Sequence, residues 1–368
     1  MKKIKVALMH FCFEDYTIEL ANALANIVDL ILIQPSKVAA FCQDSLNDNV
    51  RVISFPKPRI RSVGNFCAML EMKKIIKSLE PDVLHVQETN DPWYDLTLLL
   101  TDMPPLVTTV HDVFRHPGDR QNIFGADYTK RIAFYRSQQL IVHAESLKQI
   151  LQKKFRVPEQ QINVLPNGEL GSLYQRRSRG NRPKEEPWTL LFFGRVWPYK
   201  GLEYLLAAMP LIASKFPQIK LIIAGRGENL KTYFPYGNEH PNIEILNDFI
   251  PPDQVANIFF RSKIVVLPYI EASQSGVASL AYGLGKLVVA SSIGGLREVI
   301  QSGQDGLLVA PGNVSALADA IIHLLSDTQL QQELRRNALQ RCQQDLNWNN
   351  IAAQTVEIYY QAIASKSI

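Results

Sequence analysis

The stretch Leu191-Phe192-Phe193-Gly194-Arg195-Val196-Trp197-Pro198-Tyr199-Lys200-Gly201 opens on a wholly apolar run and breaks at a glycine. The run reads as a buried strand ending at Gly194, with a helix starting near Gly201. Arg195 follows the strand at once, and Lys200 comes five residues later. Two cations at the carboxyl edge of a strand suit a diphosphate, because each makes charge-assisted hydrogen bonds to its oxygens. Glycine at Gly194 lets backbone approach closely. Spacing alone fits two solvent-exposed cations on a loop equally well.

Downstream, Leu221-Ile222-Ile223-Ala224-Gly225-Arg226-Gly227-Glu228 repeats the strand-to-glycine pattern. A dinucleotide fingerprint needs a third glycine three residues on; Leu230 stands there, which disfavours a nicotinamide cofactor. Next, Leu267-Pro268-Tyr269-Ile270-Glu271-Ala272-Ser273-Gln274-Ser275-Gly276-Val277 places Ser273, Ser275 and Gly276 at a helix start. Free amides and the helix dipole there favour an anion or a sugar hydroxyl, and Glu271 is placed to accept from sugar hydroxyls. N-capping serines beside a surface glutamate would look the same. The chain returns to a strand through Gly285-Lys286-Leu287-Val288-Val289, and Ser291-Ser292-Ile293-Gly294-Gly295-Leu296-Arg297-Glu298 sets two glycines between that strand and a short helix.

Outward from this core, short β-branched runs alternate with helical patterns. Lys3–Met9, Leu30–Ile33, Val50–Ser54, Val83–Val86, Leu106–Val110, Gln139–Val142 and Ile162–Leu165 read as strands. Helices are expected between most of them, at Ile18–Ile27, Phe66–Leu79 and Ser146–Phe155 among others. Strands apolar on both faces and separated by helices indicate a parallel sheet with helices on both sides. A second alternation runs from Thr189 to Val309 and ends in helices Val314–Leu325, Thr328–Cys342 and Asn349–Ala364. Between the two lies 168–187, poor in apolar residues and carrying Arg176, Arg177, Arg179, Gly180, Arg182, Pro183 and Pro187; it reads as a linker. The expected organisation is an α/β pair of doubly wound domains, 1–167 and 188–347, joined by 168–187 and followed by a terminal helix, 348–368. Open parallel sheets bind ligands beyond the carboxyl ends of their strands.

Composition excludes several classes. The chain has 368 residues, too many for one ordinary core, with 46% hydrophobic and 20% charged residues, which is globular. A formal net charge of +4 is too weak to argue for nucleic acid. Cys12, Cys42, Cys67 and Cys342 form no CxxC pair and no Cys/His cluster, so neither zinc nor a disulfide framework is expected. The opening MKKIKVALMHF meets Glu14 and Asp15 where a signal peptide would stay apolar, and no run reaches the ~20 apolar residues of a membrane span. A cytoplasmic location is expected.

The four downstream segments, in this order and spacing, resemble the nucleotide-binding half of the family-four retaining glycosyltransferases of GT-B fold. Leu106-Val107-Thr108-Thr109-Val110-His111-Asp112 and Ile162-Asn163-Val164-Leu165-Pro166-Asn167-Gly168 resemble the other half, so the likeness covers nearly the whole chain. It implies two Rossmann-like domains facing a cleft, with the terminal helix crossing back to the first. It implies a nucleoside-diphosphate sugar as donor, bound by Gly194, Arg195, Lys200, Gly225, Ser275, Gly276, Val277 and Ser279. Catalytic roles fall on Arg195 and Lys200, which would neutralise the leaving diphosphate without a metal, on His111 near the transferred sugar, and on Glu271 against it. Asp112 would orient His111 or contact the acceptor. The acceptor would be a sugar or a lipid-linked hydroxyl, as in polysaccharide or glycolipid synthesis.

Two departures stand out. The family's second glutamate, which holds the ribose, is replaced by Ser279, or by Leu280 if the register slides. The family's glycine-rich first loop becomes His10-Phe11-Cys12-Phe13-Glu14-Asp15-Tyr16, whose aromatics either shape an acceptor site or pack. The missing glutamate keeps open a non-catalytic nucleotide- or sugar-binding module, which would bind without turnover. A nucleotide-sugar epimerase would consume donor without acceptor. Lys57, Arg59, Arg61, Lys73, Lys74 and Lys77 form a basic cluster that suits either anionic lipid at the inner membrane face or ordinary solvated surface.

Overall fold

The computed structural model describes residues 3–89, 91–99, 103–114, 126–229, 233, 242–272 and 275–366. The chain divides into two compact bodies. One takes the chain up to Phe114, the stretch ending at Asn167 and everything from Trp348 onward; the other takes Gly168–Asn347.

The first body is built on seven strands: β1 (Lys5–Met9), β2 (Asp29–Pro35), β3 (Arg51–Phe55), β4 (Val83–Gln87), β5 (Leu106–Val110), β6 (Gln139–Val142) and β7 (Ile162–Val164). Their order is β3-β2-β1-β4-β5-β6-β7, and each pairing is parallel. Parallel strands must be linked by crossovers, so helices cover both faces. Val6, Ala7, Leu8 and Met9 of β1 are accordingly all fully buried. The first helix spans Glu14–Leu24, starting earlier than the Ile18 expected from periodicity. Glu14 and Asp15 occupy its first turn, where negative charge favours the helix dipole.

Helix Trp348–Lys366 belongs to this body. It packs on helix Glu14–Leu24 and on β4, β5 and β6. The Trp348 ring meets Tyr16 edge-on at 5.1 Å, and Tyr359 Oη lies 2.7 Å from His85 Nδ1.

The second body holds β8 (Thr189–Phe193), β9 (Lys220–Ala224), β10 (Ile243–Leu246), β11 (Ile264–Leu267), β12 (Leu287–Ser291) and β13 (Leu307–Val309). They form a parallel sheet in the order β10-β9-β8-β11-β12-β13. Chain order reverses at β8, which places β9 on one side and β11 on the other. That is the topological switch point, where open α/β sheets leave room for a ligand.

Composition alone makes 168–187 a linker, yet it is integrated into the second body. Gly171–Arg177 is helical. A methyl group at Gly171 would stand 2.3 Å from the Gly283 carbonyl carbon, so the two helices touch backbone to backbone. Farther on, Glu185 bonds Lys286 at 2.9 Å and Arg335 at 3.0 Å. Glu186 bonds Arg261 at 2.8 Å. Lys286 is buried and also donates to the Phe260 and Ser262 carbonyls, at 3.1 and 2.7 Å. Segment 168–187 is short of apolar residues because glycine contact and ion pairs attach it.

Gly171→Ala should therefore destabilise the second body by about 1–3 kcal/mol through overpacking, lowering its Tm by several degrees. Differential scanning calorimetry checks this; an unchanged Tm would mean that the helix contact is loose.

Candidate active site

The second body gathers its motif residues at the carboxyl edge of its sheet. β8 ends at Phe193, and Gly194 follows at φ 113°. Gly225, after β9, has φ 137°, and a methyl group there would lie 2.0 Å from the Gly194 carbonyl oxygen. One at Gly227 would lie 2.1 Å from the Val196 oxygen. The Gly-x-Gly turn is thus required by contact with the neighbouring loop. Val196 and Glu228 complete the seam: Val196 N donates to Arg226 O at 3.1 Å and Glu228 N to Val196 O at 2.8 Å.

The Lys200 turn is held in a similar way against β11. Ile270 N donates to Tyr199 O at 2.9 Å. Gly201 has φ 66°, and a methyl group on it would reach 2.0 Å from the Pro268 carbonyl oxygen. Lys200 Nζ therefore sits 3.7 Å from the Tyr269 ring centroid, a cation–π contact that orients the ammonium. Arg195 is exposed and lies within electrostatic range of the Tyr269 hydroxyl. Tyr269 is buried, and burial pushes its hydroxyl pKa upward.

Helix Gly276–Gly283 begins beside these cations. Gly194 is 3.8 Å from Val277 Cγ2, measured from the position a methyl group would take. Ser275 is the N-cap residue, but its side chain caps nothing. Its Oγ is buried beside the buried Tyr269 hydroxyl, with which it interacts. Ser279 lies fully buried inside the helix. Glu271 is exposed on the loop before it. Ser273, also at this helix start in the sequence, lies outside the described residues.

In the first body, His111 follows β5 at the carboxyl edge and is 1% exposed. Nε2 donates to Gln87 Oε1 at 2.8 Å. Gln87, on the neighbouring strand, thus holds the ring, and Asp112, expected to orient His111 or to contact the acceptor, acts on it through its charge. Phe13 stacks on the imidazole, centroids 3.8 Å apart and planes 17° from parallel. Phe13 has φ 62°, an uncommon backbone state for a bulky residue. Phe11 packs into the core against Phe55 and Tyr94. The two aromatics of the first loop thus take different roles. Burial, with His143 nearby, holds His111 well below the usual histidine pKa, so it is neutral. His143 is lowered to about 4 and His85 to about 3, both by burial.

Sequence reasoning missed Tyr269, Gln87 and Glu88. Glu88 accepts the His111 and Asp112 amides, each at 3.0 Å. The Thr-Val-His-Asp motif drew attention to β5, while these partners sit on its neighbour.

Comparison with known proteins places the chain in a family. Residues 187–327 match the model of the glycosyl transferases group 1, and residues 5–144 match that of the glycosyl transferase 4-like proteins. An uncharacterised glycosyltransferase of Methanocaldococcus jannaschii is 29% identical over 76% of this chain and 75% of its own. Glycogen synthase of Mycobacterium tuberculosis is 28% identical over 80% of this chain and 73% of its own. A solved glycosyltransferase from Rickettsia africae superposes with TM-score 0.74 at 20% identity, covering 98% of this chain and 99% of its own. With the two family models together spanning most of both bodies, the chain belongs to the group 1 glycosyltransferases of GT-B fold.

Proposed function

We propose that the protein transfers a sugar from a nucleoside-diphosphate sugar to an acceptor hydroxyl with retention of anomeric configuration and without a metal ion. The observation that carries this reading is the cluster around Tyr269: Lys200 over its ring, Arg195 within electrostatic range of its hydroxyl, and Ser275 beside it at a helix start. A diphosphate would pair with both cations and accept from the helix-start amides. Arg195 and Lys200 supply positive charge where the leaving diphosphate becomes more negative, which is transition-state stabilisation of the oxyanion kind. The bond from the anomeric carbon to the diphosphate oxygen breaks. The acceptor oxygen bonds to the same face, and its proton passes to the departing phosphate oxygen. Neutral His111 acts as a hydrogen-bonding and packing group near the sugar, since its suppressed basicity makes it a poor proton acceptor. Glu271 contacts sugar hydroxyls, and Ser275, Gly276 and Val277 present backbone amides. With no glutamate at Ser279, the ribose is held by other groups.

The acceptor belongs to sugar or lipid-linked chemistry. No helix among the described residues is long and apolar enough to cross a membrane. Val63, Phe66 and Leu70 are exposed on or just before helix Asn65–Leu79, which also carries Lys73, Lys74 and Lys77. Apolar and basic residues together suit peripheral contact with an anionic bilayer.

Calorimetric titration with UDP, GDP and ADP should show one nucleotide bound in the presence of EDTA. Arg195→Ala should abolish that binding or lower turnover by about 10²–10³-fold. Binding that requires a divalent ion, or that survives the substitution, would refute the charge assignment. The anomeric configuration of the product, read by NMR, should match that of the donor; an inverted product overturns the retaining mechanism. Sedimentation with phosphatidylglycerol vesicles should exceed that with phosphatidylcholine and fall in a Phe66→Ser, Lys74→Ser variant. Equal sedimentation with both lipids removes the membrane contact.

A further inference from the structure

Glu88 is a buried carboxylate that the chemistry above leaves unused. It follows directly on β4, and its N–H bonds Thr109 O at 3.0 Å. The side chain turns to the end of β5, where a single oxygen, Oε2, accepts both the His111 and Asp112 amides at 3.0 Å. Lys130, on helix Ala126–Arg136, arrives from the other side. Its Nζ is 3.6 Å from Glu88 Oε1 and donates to the Asp112 carbonyl at 3.1 Å. The backbone of Asp112 is therefore gripped at both polar ends, its N–H by the carboxylate and its C=O by the ammonium.

Glu88 and Lys130 are 4% and 5% exposed. A pair this deep is poor value for stability, since desolvation cancels most of the attraction and apolar residues of like size would do as well. What it achieves is a fixed backbone at one turn, and that turn carries His111. We propose that Glu88 and Lys130 are positioning residues, holding the His111–Asp112 turn in the orientation the transfer step uses. The inference rests on the assignment of His111 to that step.

Burial pushes the Glu88 carboxyl up to about 7; Lys130 opposes the rise and Asp112 adds to it. The groups facing Glu88 are Lys130 from its helix, His111 and Asp112 beyond β5, and Cys12 beyond β1, whose thiol donates to the Glu88 carbonyl at 3.2 Å. The ionised form accepts both amides and pairs with Lys130. The grip accordingly loosens as pH falls through about 7.

The test uses the full chain labelled with ¹⁵N at histidine and aspartate. In the wild type, the His111 and Asp112 amide resonances should titrate together with a midpoint near 7, and in Glu88→Gln they should be flat. Release of nucleoside diphosphate from UDP-glucose, GDP-mannose or ADP-glucose, with water as acceptor, gives the kinetic arm for whichever donor binds. Wild-type kcat should fall through the same midpoint. Glu88→Gln and Lys130→Met should each lower kcat by about 10–100-fold with KM for donor unchanged, and Glu88→Gln should lack the acid limb. Adding Glu88→Gln to His111→Ala should cost nothing further. Amides that titrate unchanged in Glu88→Gln, or variants with wild-type kcat beside an impaired His111→Ala, overturn the proposal. Full kcat in His111→Ala removes the assignment of His111 itself, and the positioning role with it.

Discussion

Three pairs of loops at the edge of the second sheet touch backbone to backbone, and the placement of the cations depends on that contact. Gly225 lies against the Gly194 carbonyl, Gly201 against that of Pro268, and Gly294 against that of Ala272. Any side chain at these points would collide with a carbonyl oxygen. Because the loops can close to this distance, Arg195 and Lys200 project from a rigid seam rather than from free loops. Preorganisation is what gives a charge its value in stabilising another charge that appears only during reaction. The same glycines explain why so short a stretch of chain suffices to build the site.

The first body solves a different problem. Its carboxyl edge buries polar groups that must all be paired. Tyr359, His85, Gln87 and His111 form one chain of contacts, with successive separations of 2.7, 3.4 and 2.8 Å. The Gln87 amide can only donate, so His85 accepts at Nε2 and donates from Nδ1 to the Tyr359 hydroxyl. Nε2 can then receive Thr109 Oγ1 at 2.8 Å and the Gln87 amide, which turns Gln87 Oε1 toward His111. The tautomer of His111 thus depends on the last helix of the chain, 274 residues from His85 in the case of Tyr359. Such linked bonds reinforce one another at low dielectric, and each is costly to leave unmade.

This division marks what the sequence made legible. Strand runs such as Leu191–Phe193 and Leu30–Ile33 are apolar on both faces, so the parallel sheets could be read directly. The glycine, arginine and lysine of the second body could be read because strand ends and their loops are contiguous in sequence. Gln87 and Glu88 were not legible as partners of His111, since pairing across parallel strands separates contacting residues by a whole crossover. Segment 168–187 misled for a related reason. Its attachment runs through Glu185 and Glu186 to Lys286, Arg335 and Arg261, and composition carries no record of a distant counter-charge. Lys286 read only as part of the turn into β12, although it is a buried anchor.

Charge is distributed unequally between the two sites, and the inequality bears on the type of reaction. The motif residues of the second body offer two cations, one of them exposed, beside a helix start. At the carboxyl edge of the first, the histidines His85, His111 and His143 are buried and held below the usual histidine range. A protein base that deprotonates an acceptor needs a pKa near the working pH, and burial denies that to each of these histidines. A leaving group that gathers negative charge needs fixed positive charge nearby, and in the proposed reaction Arg195 and Lys200 would supply it. Chemistry in which the departing diphosphate both receives the charge and takes the acceptor's proton asks for the groups present here and does not ask for a histidine base. In the proposed reaction His111 would contribute through shape and a single fixed hydrogen bond, so the accuracy of its backbone would matter more than its basicity.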